Sequence, residues 1–420
     1  MRTSKPPFRF VSRRPAAASG VRPTPSTRLR ATPVTMLILL ATLRGEAATD
    51  GNNVTFTVES LGIPLLLRWP ADPYARNVWD LHLHQNKIHV GCGNSSNNLP
   101  SPNAGPVAVA AFDLTTKSWG YQGLAPGWNW IPEEQIDRFV VIAGVLLIPG
   151  HDPQGLPSFG NFYYRDALDT WHQIGNLPNA VHCYDLLWRP DLGTLFAALG
   201  TGTGSLHAST VISTQNLITW NPVSSYYLSV PIDRTYEFVR IGADDYAVHA
   251  SGALERLVPA SGVFVAAGSL QANLFPPGVQ SPSPWPRLHR PVEFNGETVY
   301  IAGVEENDHQ VAPLALCSAP APGQARLHKV PCQVRDLLVA DGRCYALANA
   351  PAPGAWRISV WSTGDLNDWQ EDFFFIAPSF ARSFEWNEGD FYLGLGCETA
   401  PLSPQAGEIL RVPSEAWQAP

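Results

Sequence analysis

Acidic residues and histidines are concentrated between positions 133 and 185 of the chain. Carboxylates beside a histidine could transfer protons as general acid and base, or could hold a hard divalent cation through their oxygens. The alternative is that they cap turns and stabilise loops, which Asp commonly does. We take this group as the catalytic candidates: Glu133, Glu134, Asp137, His151, Asp152, His182 and Asp185.

A second set of candidates appears when seven hairpins of the sequence are aligned by their turns. Guanidinium groups bind carboxylates through paired hydrogen bonds, so arginines at the equivalent position of several aligned hairpins could clamp a carboxylate or a sugar. The alternative is structural, with Arg335 and Arg382 pairing with Asp336 and neighbouring acids. The aligned residues are Trp79, Asp137, Tyr184, Tyr236, Arg290, Arg335 and Arg382, and Asp80 follows the first of them.

Polar loops complete the candidate ligand-binding surface. Residues 91–106, 149–161 and 200–209 are rich in Asn, His, Gly and Ser, and we expect them to converge on one face of the fold. Exposed loops on a rigid scaffold are where function usually lies. The loop-side candidates for ligand contact are Asn94, Asn97, Gln135 and Asn161.

Metal and cofactor motifs are sparse in this sequence. Asp80, His82 and His84 alternate along one strand face, but no third histidine is predicted beside them, so packing between structural units is the favoured interpretation. A divalent cation at the acidic cluster is the one cofactor that these residues could hold.

A short polar turn closed by tryptophan recurs along the chain and predicts a repeat architecture. The copies end at Trp119, Trp171, Trp220, Trp369 and Trp417, with a degenerate copy ending at Phe264. The spacings are close to fifty residues, except for 105 residues between Phe264 and Trp369. One more turn, near residues 317–327, would fill that gap and bring the number of units to seven.

Each unit opens with an apolar hairpin whose turn carries residues such as Asn295-Gly296 or Asp341-Gly342, which tight turns require. Two further strands follow, one on each side of the Trp-closed turn. The sequence therefore predicts an all-β fold, a seven-bladed β-propeller of four-stranded antiparallel blades. Because the last unit lacks its final strand, we expect Val54–Val58 to supply it and close the ring.

The N-terminal segment differs in composition from the rest of the chain. Residues 1–35 contain eight basic and no acidic residues, and an apolar run at 34–43 precedes small residues near Ala48. This order is typical of a secretory signal, so residues 1–49 are predicted to be an export leader and 50–420 the propeller. A basic tail on a cytosolic protein is the alternative. We expect a periplasmic or extracellular protein with no membrane span after removal of the signal.

Charge and cysteine content limit the partners. Removal of residues 1–48 would leave 19 basic and 35 acidic residues, and a surface that acidic disfavours nucleic acid. Six cysteines permit disulfides without demanding them, and Cys344 is predicted to lie opposite Val339 in its hairpin.

At the Trp-closed turns the chain resembles the Asp-box proteins found in sialidase-like propellers, whose motif reads Ser-x-Asp-x-Gly-x-Thr-Trp. STQNLITW (213–220) and STGDLNDW (362–369) keep the Ser, the Trp and the length, but Leu217 and Leu366 replace the glycine. Several stretches are similar to a group of exported bacterial propellers described as uncharacterised or sialidase-like. These stretches are GNSSNN with NAGP, EEQIDRF, PGHDP with GNFYY, and HCYDL.

Three hypotheses about function remain open at this stage. The first is binding of a glycan or another small polar ligand on the loop face of blades one to three, without catalysis. The second is glycoside cleavage of the sialidase-like kind that the resemblance implies, with Asp137 or Glu134 as the acid. The third is a platform for protein interaction. Propellers host all three functions, so the fold alone does not choose between them.

Overall fold

The computed structural model describes residues 57–95, 103–125, 127, 130–154, 160–178, 180–201, 210–224, 234–306, 310–398 and 401–417. Within these ranges the chain forms seven four-stranded antiparallel sheets, in which consecutive strands are neighbours. The predicted seven-bladed β-propeller is confirmed. The predicted leader, residues 1–49, lies outside the described ranges, and none of the helices within them is long and apolar enough to cross a membrane.

The blades are numbered in chain order. Blade one contains β2 to β5, at Asp80–His84, Lys87–Gly91, Val109–Asp113 and Ser118–Gln122. Blade two contains β6 to β9, at Val140–Ile142, Val145–Pro149, Gly160–Arg165 and Trp171–Leu177. Blade three contains β10 to β13, at Ala180–Arg189, Thr194–Thr201, Val211–Thr214 and Asn221–Pro222. Blade four contains β14 to β17, at Thr235–Ile241, Asp244–His249, Ala253–Val258 and Val263–Ser269.

Blade five contains β18 to β21, at Pro286–Phe294, Glu297–Glu306, Gln310–Ala319 and Arg326–His328. Blade six contains β22 to β25, at Gln333–Ala340, Arg343–Ala352, Ala355–Thr363 and Gln370–Ala377. Blade seven contains β26 to β28 and the N-terminal β1, at Ala381–Asn387, Asp390–Leu395, Ile409–Val412 and Glu59–Gly62. The helical segments are a 3-10 turn at Tyr74–Arg76, α1 at Leu270–Asn273 and α2 at Ser414–Trp417.

The first hairpin of each blade has the turn that its sequence predicts. Asn295 and Gly296 have φ values of 49° and 78°, and Asp341 and Gly342 have 47° and 71°. Two successive residues with positive φ twist the turn in the same sense as the strands it joins. The turns therefore fix the register of the innermost pair of strands.

Two of the Trp-closed turns place a leucine in a backbone conformation that is unusual for it. Leu217 and Leu366 both adopt positive φ, at 62° and 66°, which is the conformation that glycine favours. In blade three the Asn216 carboxamide oxygen accepts the backbone N–H groups of Ile218 at 2.9 Å and Thr219 at 2.8 Å. Side-chain capping thus holds the turn in a conformation that leucine alone would disfavour.

Two local predictions are confirmed by the pairing of strands. A turn joins β20 to β21, with Cys317 opposite Leu327, so blade five is the unit expected between Phe264 and Trp369. Cys344 lies opposite Val339. All six cysteines lie within the described ranges and are free thiols.

The predicted position of the closing strand is wrong. The strand that completes blade seven is Glu59–Gly62, in which Glu59 pairs with Arg411. Val58 precedes the strand and packs against the core, while residues 54–56 lie outside the described part of the chain. The alternation in Val54–Val58 favoured that segment, but the N-terminal strand that closes the ring begins after it. Glu59 forms an ion pair with Arg411 at 2.7 Å.

Carboxylates on innermost strands connect neighbouring blades. Each accepts a backbone N–H from the first strand of the next blade or from the residue just before it, so the link does not depend on side-chain packing between the blades. These contacts are Phe139 N–H to Asp80 at 2.7 Å, Phe238 N–H to Asp185 at 2.9 Å and Phe384 N–H to Asp336 at 3.1 Å. Leu81 N–H donates to the Ser383 hydroxyl at 3.0 Å and links blade seven to blade one in the same way.

Shortening the N-terminus past β1 should destabilise the whole propeller. A chain that begins at Ile63 loses the pairing of Glu59–Gly62 with β28 and exposes an edge in blade seven. We expect a loss of about 3 kcal/mol or more, since each backbone hydrogen bond contributes about 1 kcal/mol. Urea unfolding followed by circular dichroism measures it. A chain that begins at Thr57 is the control, and equal stability of the two chains would contradict the assigned closure.

Candidate functional site

A cavity with two lobes lies on the propeller axis, where the innermost strands meet. The first lobe has a volume of about 100 Å³ and the second about 60 Å³, and we call the two together the axial cavity. Both lobes are bordered by Asp137, His289, Arg290 and Val311. The first lobe is also lined by Arg138, His151, Tyr184, Tyr236, Glu237, Arg287 and Leu288, and the second by Trp79, Ile301, Pro313, Val334, Arg335 and Arg382.

Arg290 stands between the lobes because β18 is irregular at this point. The pairing of β18 shifts between His289 and Val292, and Arg290 has a φ of 52°. The guanidinium donates to Asp80 Oδ1 at 2.5 Å, and its Nε lies 3.4 Å from Asp336 Oδ1. Arg290 of blade five is therefore tied to blades one and six, and its role is structural.

The Arg287 side chain lines the first lobe, although the residue is buried. The residue is 3% exposed, and its guanidinium lies over the ring of Tyr236. One terminal nitrogen forms an ion pair with Glu305. Within the described residues its Nε and Nη1 have no hydrogen-bond partner. Two buried donors of a fixed charge thus remain for a ligand.

Arg382 has the corresponding position in the second lobe. It lies over the Trp79 ring at 4.3 Å and over the Phe380 ring at 5.2 Å, and donates to the Cys397 carbonyl at 3.4 Å. Its Nε has no partner, and no carboxylate of the described chain pairs with it. Arg335, by contrast, pairs with Glu398 at 3.2 Å. Of the acids that the structural alternative invoked, Asp336 pairs with Arg290, and Arg335 pairs with Glu398 instead.

The structure brings four of the catalytic candidates together on one side of the first lobe. His151 Nδ1 lies 2.5 Å from Asp137 Oδ2, and Gln135 donates to the other oxygen of Asp137. His182 Nδ1 donates to the His151 carbonyl at 2.6 Å and lies 3.7 Å from Asp152. The acidic and histidine residues therefore form two paired units, of which Asp137 and His151 face the cavity.

The charge states of this group follow from burial and from these contacts. Burial alone would raise the pKa of Asp137, but the neighbouring His151 and the hydrogen bond from Gln135 outweigh it, so this pKa lies below its usual value. Burial and the nearby His151 and Arg234 lower the pKa of His182 to about 3. At neutral pH Asp137 is ionised and cannot supply a proton, and His182 is neutral.

Two tyrosines form an aromatic wall of the first lobe. The Tyr184 ring is stacked on His182 at 5.3 Å and contacts Tyr236 at 4.8 Å. His151 approaches the same tyrosine edge-on at 5.2 Å. Tyr236 also donates to Glu305 Oε1 at 3.4 Å. The wall offers flat apolar faces beside charged groups, which is typical of small-molecule sites.

Glu133 and Glu134 lie outside the axial cavity. Glu133 accepts the Tyr163 hydroxyl at 2.6 Å and a hydrogen bond from Asn161, and burial raises its pKa to about 8. Glu134 accepts a hydrogen bond from Asn103, and burial with the nearby Asp152 raises its pKa to about 7. Neither lines the cavity, so Glu134 is not placed to act on a ligand there.

The remaining candidates, which include Asp80, Asp185, Asn94 and Gln135, make contacts within the fold. Asp185 and Asp80 link blades, and Asp185 also pairs with Arg138 at 3.1 Å. Asn94 is fully buried, and its backbone N–H donates to the Glu134 carbonyl at 2.9 Å. Gln135 orients Asp137 and also accepts the Ser95 N–H at 3.1 Å. Asn97 lies outside the described residues.

Sequence reasoning missed several residues that border the cavity. Glu237 stood at the neighbouring rank of the aligned hairpins, and burial raises its pKa to about 8, so it is largely protonated at neutral pH. Arg287 and His289 alternate with each other before Arg290, which signals one strand face. The bulge that adds Arg290 to that face has no comparable signal. In the ranges described, no group of three or more His, Cys, Asp or Glu side chains could hold a metal ion.

Comparisons with known proteins assign neither a family nor a function. No family model matches the chain, and no curated protein matches its sequence. Among solved structures it is similar to YCF48 bound to a D1 peptide, with 12% identity and a TM-score of 0.46 over 88% of this chain and 99% of that one. It is also similar to a polysaccharide lyase, an ulvan lyase bound to a sugar of GlcA and Rha3S, with 11% identity and a TM-score of 0.45 over 80% and 91%. These values assign no function, and no finding identifies the chain as a sialidase or an Asp-box protein.

Removal of a blade-linking carboxylate should destabilise the fold. Asp185→Ala leaves Phe238 N–H and Arg138 without their acceptor, and Leu186 N–H loses its contact with the same carboxylate. Because this side chain is only 5% exposed, we expect a loss of about 3 kcal/mol in unfolding free energy. Asp244→Ala removes an exposed ion pair with Arg256 and should change stability little. Equal effects of the two substitutions on the urea midpoint would contradict the structural role of Asp185.

Glu133 should make the free energy of unfolding fall as pH rises from about 4.5 to about 8. Its folded pKa of about 8 lies above the ordinary 4.5, so between these values the folded chain binds more protons than the unfolded chain. The contribution of Glu133 to the free energy of unfolding is complete below about pH 4.5 and is lost as pH rises to about 8. Urea midpoints measured from pH 6.5 to 8.5 should therefore fall less steeply for Glu133→Gln than for the unmodified protein. An unchanged slope would show that Glu133 does not titrate in this window.

Proposed function

We propose that this protein binds an acidic sugar, or another small polar ligand with an anionic group, in the axial cavity. The observation that carries the proposal is Arg287, which is buried, lines the first lobe and has two N–H donors without partners in the described residues. Leaving buried donors of a charged group unpaired is costly, and an anionic ligand would satisfy both at once.

The charge balance around the cavity also favours an anion. Arg138, Arg287, Arg290, Arg335 and Arg382 line it, whereas its acidic residues are Asp137 and Glu237. Asp137 is engaged with His151, and the raised pKa of Glu237 favours its neutral form. Four of these arginines pair with carboxylates, so the unbalanced positive charge that would attract an anion lies on Arg382, even though the chain as a whole carries a formal charge of −8.

The walls fit a ring with polar substituents. Tyr184 and Tyr236 supply aromatic faces, and Asp137 supplies an ionised acceptor for hydroxyl groups. Pockets that combine aromatic walls with a few placed polar groups bind small ligands specifically. This proposal places the ligand on the axis, among the innermost strands of blades two to five, rather than over the loops of blades one to three.

Hydrolysis of an acidic glycoside is a second candidate, and one observation favours it. Glu237, largely protonated at neutral pH, lines the same lobe as Tyr236, whose hydroxyl donates to Glu305. A protonated carboxylic acid is one of the two groups that a glycosidase needs, and sialidases use a tyrosine as the other. Glu237, not Asp137 or Glu134, would then be the acid. Release of fluorophore from a sialoside or a glucuronide, abolished by Glu237→Gln, would separate catalysis from simple binding.

Substitution of Arg287 should weaken binding of an acidic sugar without unfolding the protein. We expect Arg287→Gln to lower the affinity for glucuronate or N-acetylneuraminate 10-fold to 100-fold, as hydrogen bonds between charged groups contribute about 1.5–3 kcal/mol. Isothermal titration calorimetry at low salt measures the change. The neutral sugar glucose should not bind.

Arg357→Gln is the matched control, because Arg357 pairs with Glu371 at 2.7 Å in blade six and does not line the cavity. It should leave the affinity unchanged. Equal affinity of glucose and glucuronate, or no effect of Arg287→Gln on a measured affinity, would contradict the proposal.

A further inference from the structure

Each lobe of the axial cavity is lined by a buried guanidinium group that keeps at least one nitrogen without a hydrogen-bond partner in the described residues. Arg287 borders the first lobe and Arg382 the second, and both residues are less than a tenth exposed. In the described chain the Nε and Nη1 of Arg287 and the Nε of Arg382 lack hydrogen-bond partners. The two arginines belong to different blades, five and seven, and line different lobes.

The residues between the lobes are not available to bind an anion. Arg290, the cation on the shared border, is committed to Asp80, Asp336 and the Trp79 carbonyl. His289 is neutral, because burial and the arginines around it lower its pKa well below the usual value. The cation at the centre of the cavity therefore serves the fold, and the nitrogens without partners that remain belong to Arg287 in the first lobe and Arg382 in the second.

Asp137 adds a repulsive element at the centre. It borders both lobes and stays ionised through His151 and Gln135. A negative group on the middle of a ligand would face this carboxylate at close range, whereas hydroxyl groups there could donate hydrogen bonds to it. Unfavourable contacts of this kind select between ligands as effectively as attractive ones.

We infer that the ligand carries two separate anionic groups, one for Arg287 and one for Arg382, joined by a hydroxyl-bearing segment that passes Asp137. This inference rests on the function proposed above and narrows the ligand class to diacids of the sugar-acid type. Carboxylate and sulfate share the required chemistry, since a guanidinium binds either through paired hydrogen bonds.

A purely structural role for Arg382 is the competing explanation. Its guanidinium is stacked on Trp79 and Phe380 and donates to the Cys397 carbonyl, contacts that would persist without any ligand. A structural arginine affects stability but does not discriminate between ligands that differ by one acidic group. The test must therefore compare ligands as well as variants.

Galactitol, galactonate and galactarate form a matched series with zero, one and two carboxylates on the same six-carbon polyol. We expect calorimetry with the full chain to show no binding of galactitol, and galactarate binding at least about 10-fold tighter than galactonate. Arg382→Gln should reduce the galactarate affinity to that of galactonate and leave galactonate unchanged. Arg287→Gln should weaken both acids, and Arg357→Gln neither.

The outcomes separate this inference from the proposed function. Equal affinity of galactonate and galactarate, with both lost in Arg287→Gln, would overturn the diacid inference and keep anion binding. Equal loss of both acids in Arg382→Gln would also overturn it. No binding of any acid in the series by the unmodified protein, with its thermal unfolding normal, would overturn both. Arg382→Lys, which keeps the charge, should retain part of the preference for galactarate if the variant with Gln proves unstable.

Discussion

The hydrogen bond from the backbone of one blade to a carboxylate of the preceding blade is the contact on which the rest of the structure depends. Asp80, Asp185 and Asp336 each hold the innermost strand of the next blade at a fixed height along the axis. These carboxylates are buried, so removing their partners would leave a charge in a poorly solvated place. The positions of all axial side chains follow from this alignment of strands.

Arg290 shows how the same carboxylates organise the axis. A residue with positive φ in a bulge is strained, and such strain persists only where the surroundings supply compensating contacts. Asp80 and Asp336 supply them, because each accepts a backbone N–H with one oxygen and faces Arg290 with the other. Because Arg290 pairs with both of these carboxylates, neither is shared with Arg287 or Arg382. Arg287 pairs with Glu305 instead, and Arg382 donates to a backbone carbonyl.

The sequence allowed prediction of features that depend on local chemistry and on repetition. Turns such as Asn295-Gly296 need positive φ, and the spacing of the Trp-closed turns counted the blades, including the turn between Cys317 and Leu327. The sequence predicted that Asp137 and His151 belong to one cluster, but not that they pair with each other. The bulge at Arg290 and the closing strand at Glu59 depend on contacts with residues far away in the chain, Asp80 and Arg411, which local patterns do not encode.

Arginines and acids at equivalent positions of the blades can be either structural or functional, and residue type does not distinguish the two roles. The contacts that the fold itself provides for each arginine are a better guide. Arg335 has a carboxylate in Glu398, and Arg290 has two, whereas Arg382 has only a carbonyl and two aromatic rings. A fold that needed Arg382 only for packing could use a long apolar side chain there and avoid burying a charge. Burying a guanidinium without a carboxylate costs desolvation free energy, and the anionic ligand proposed for the axial cavity would offset that cost.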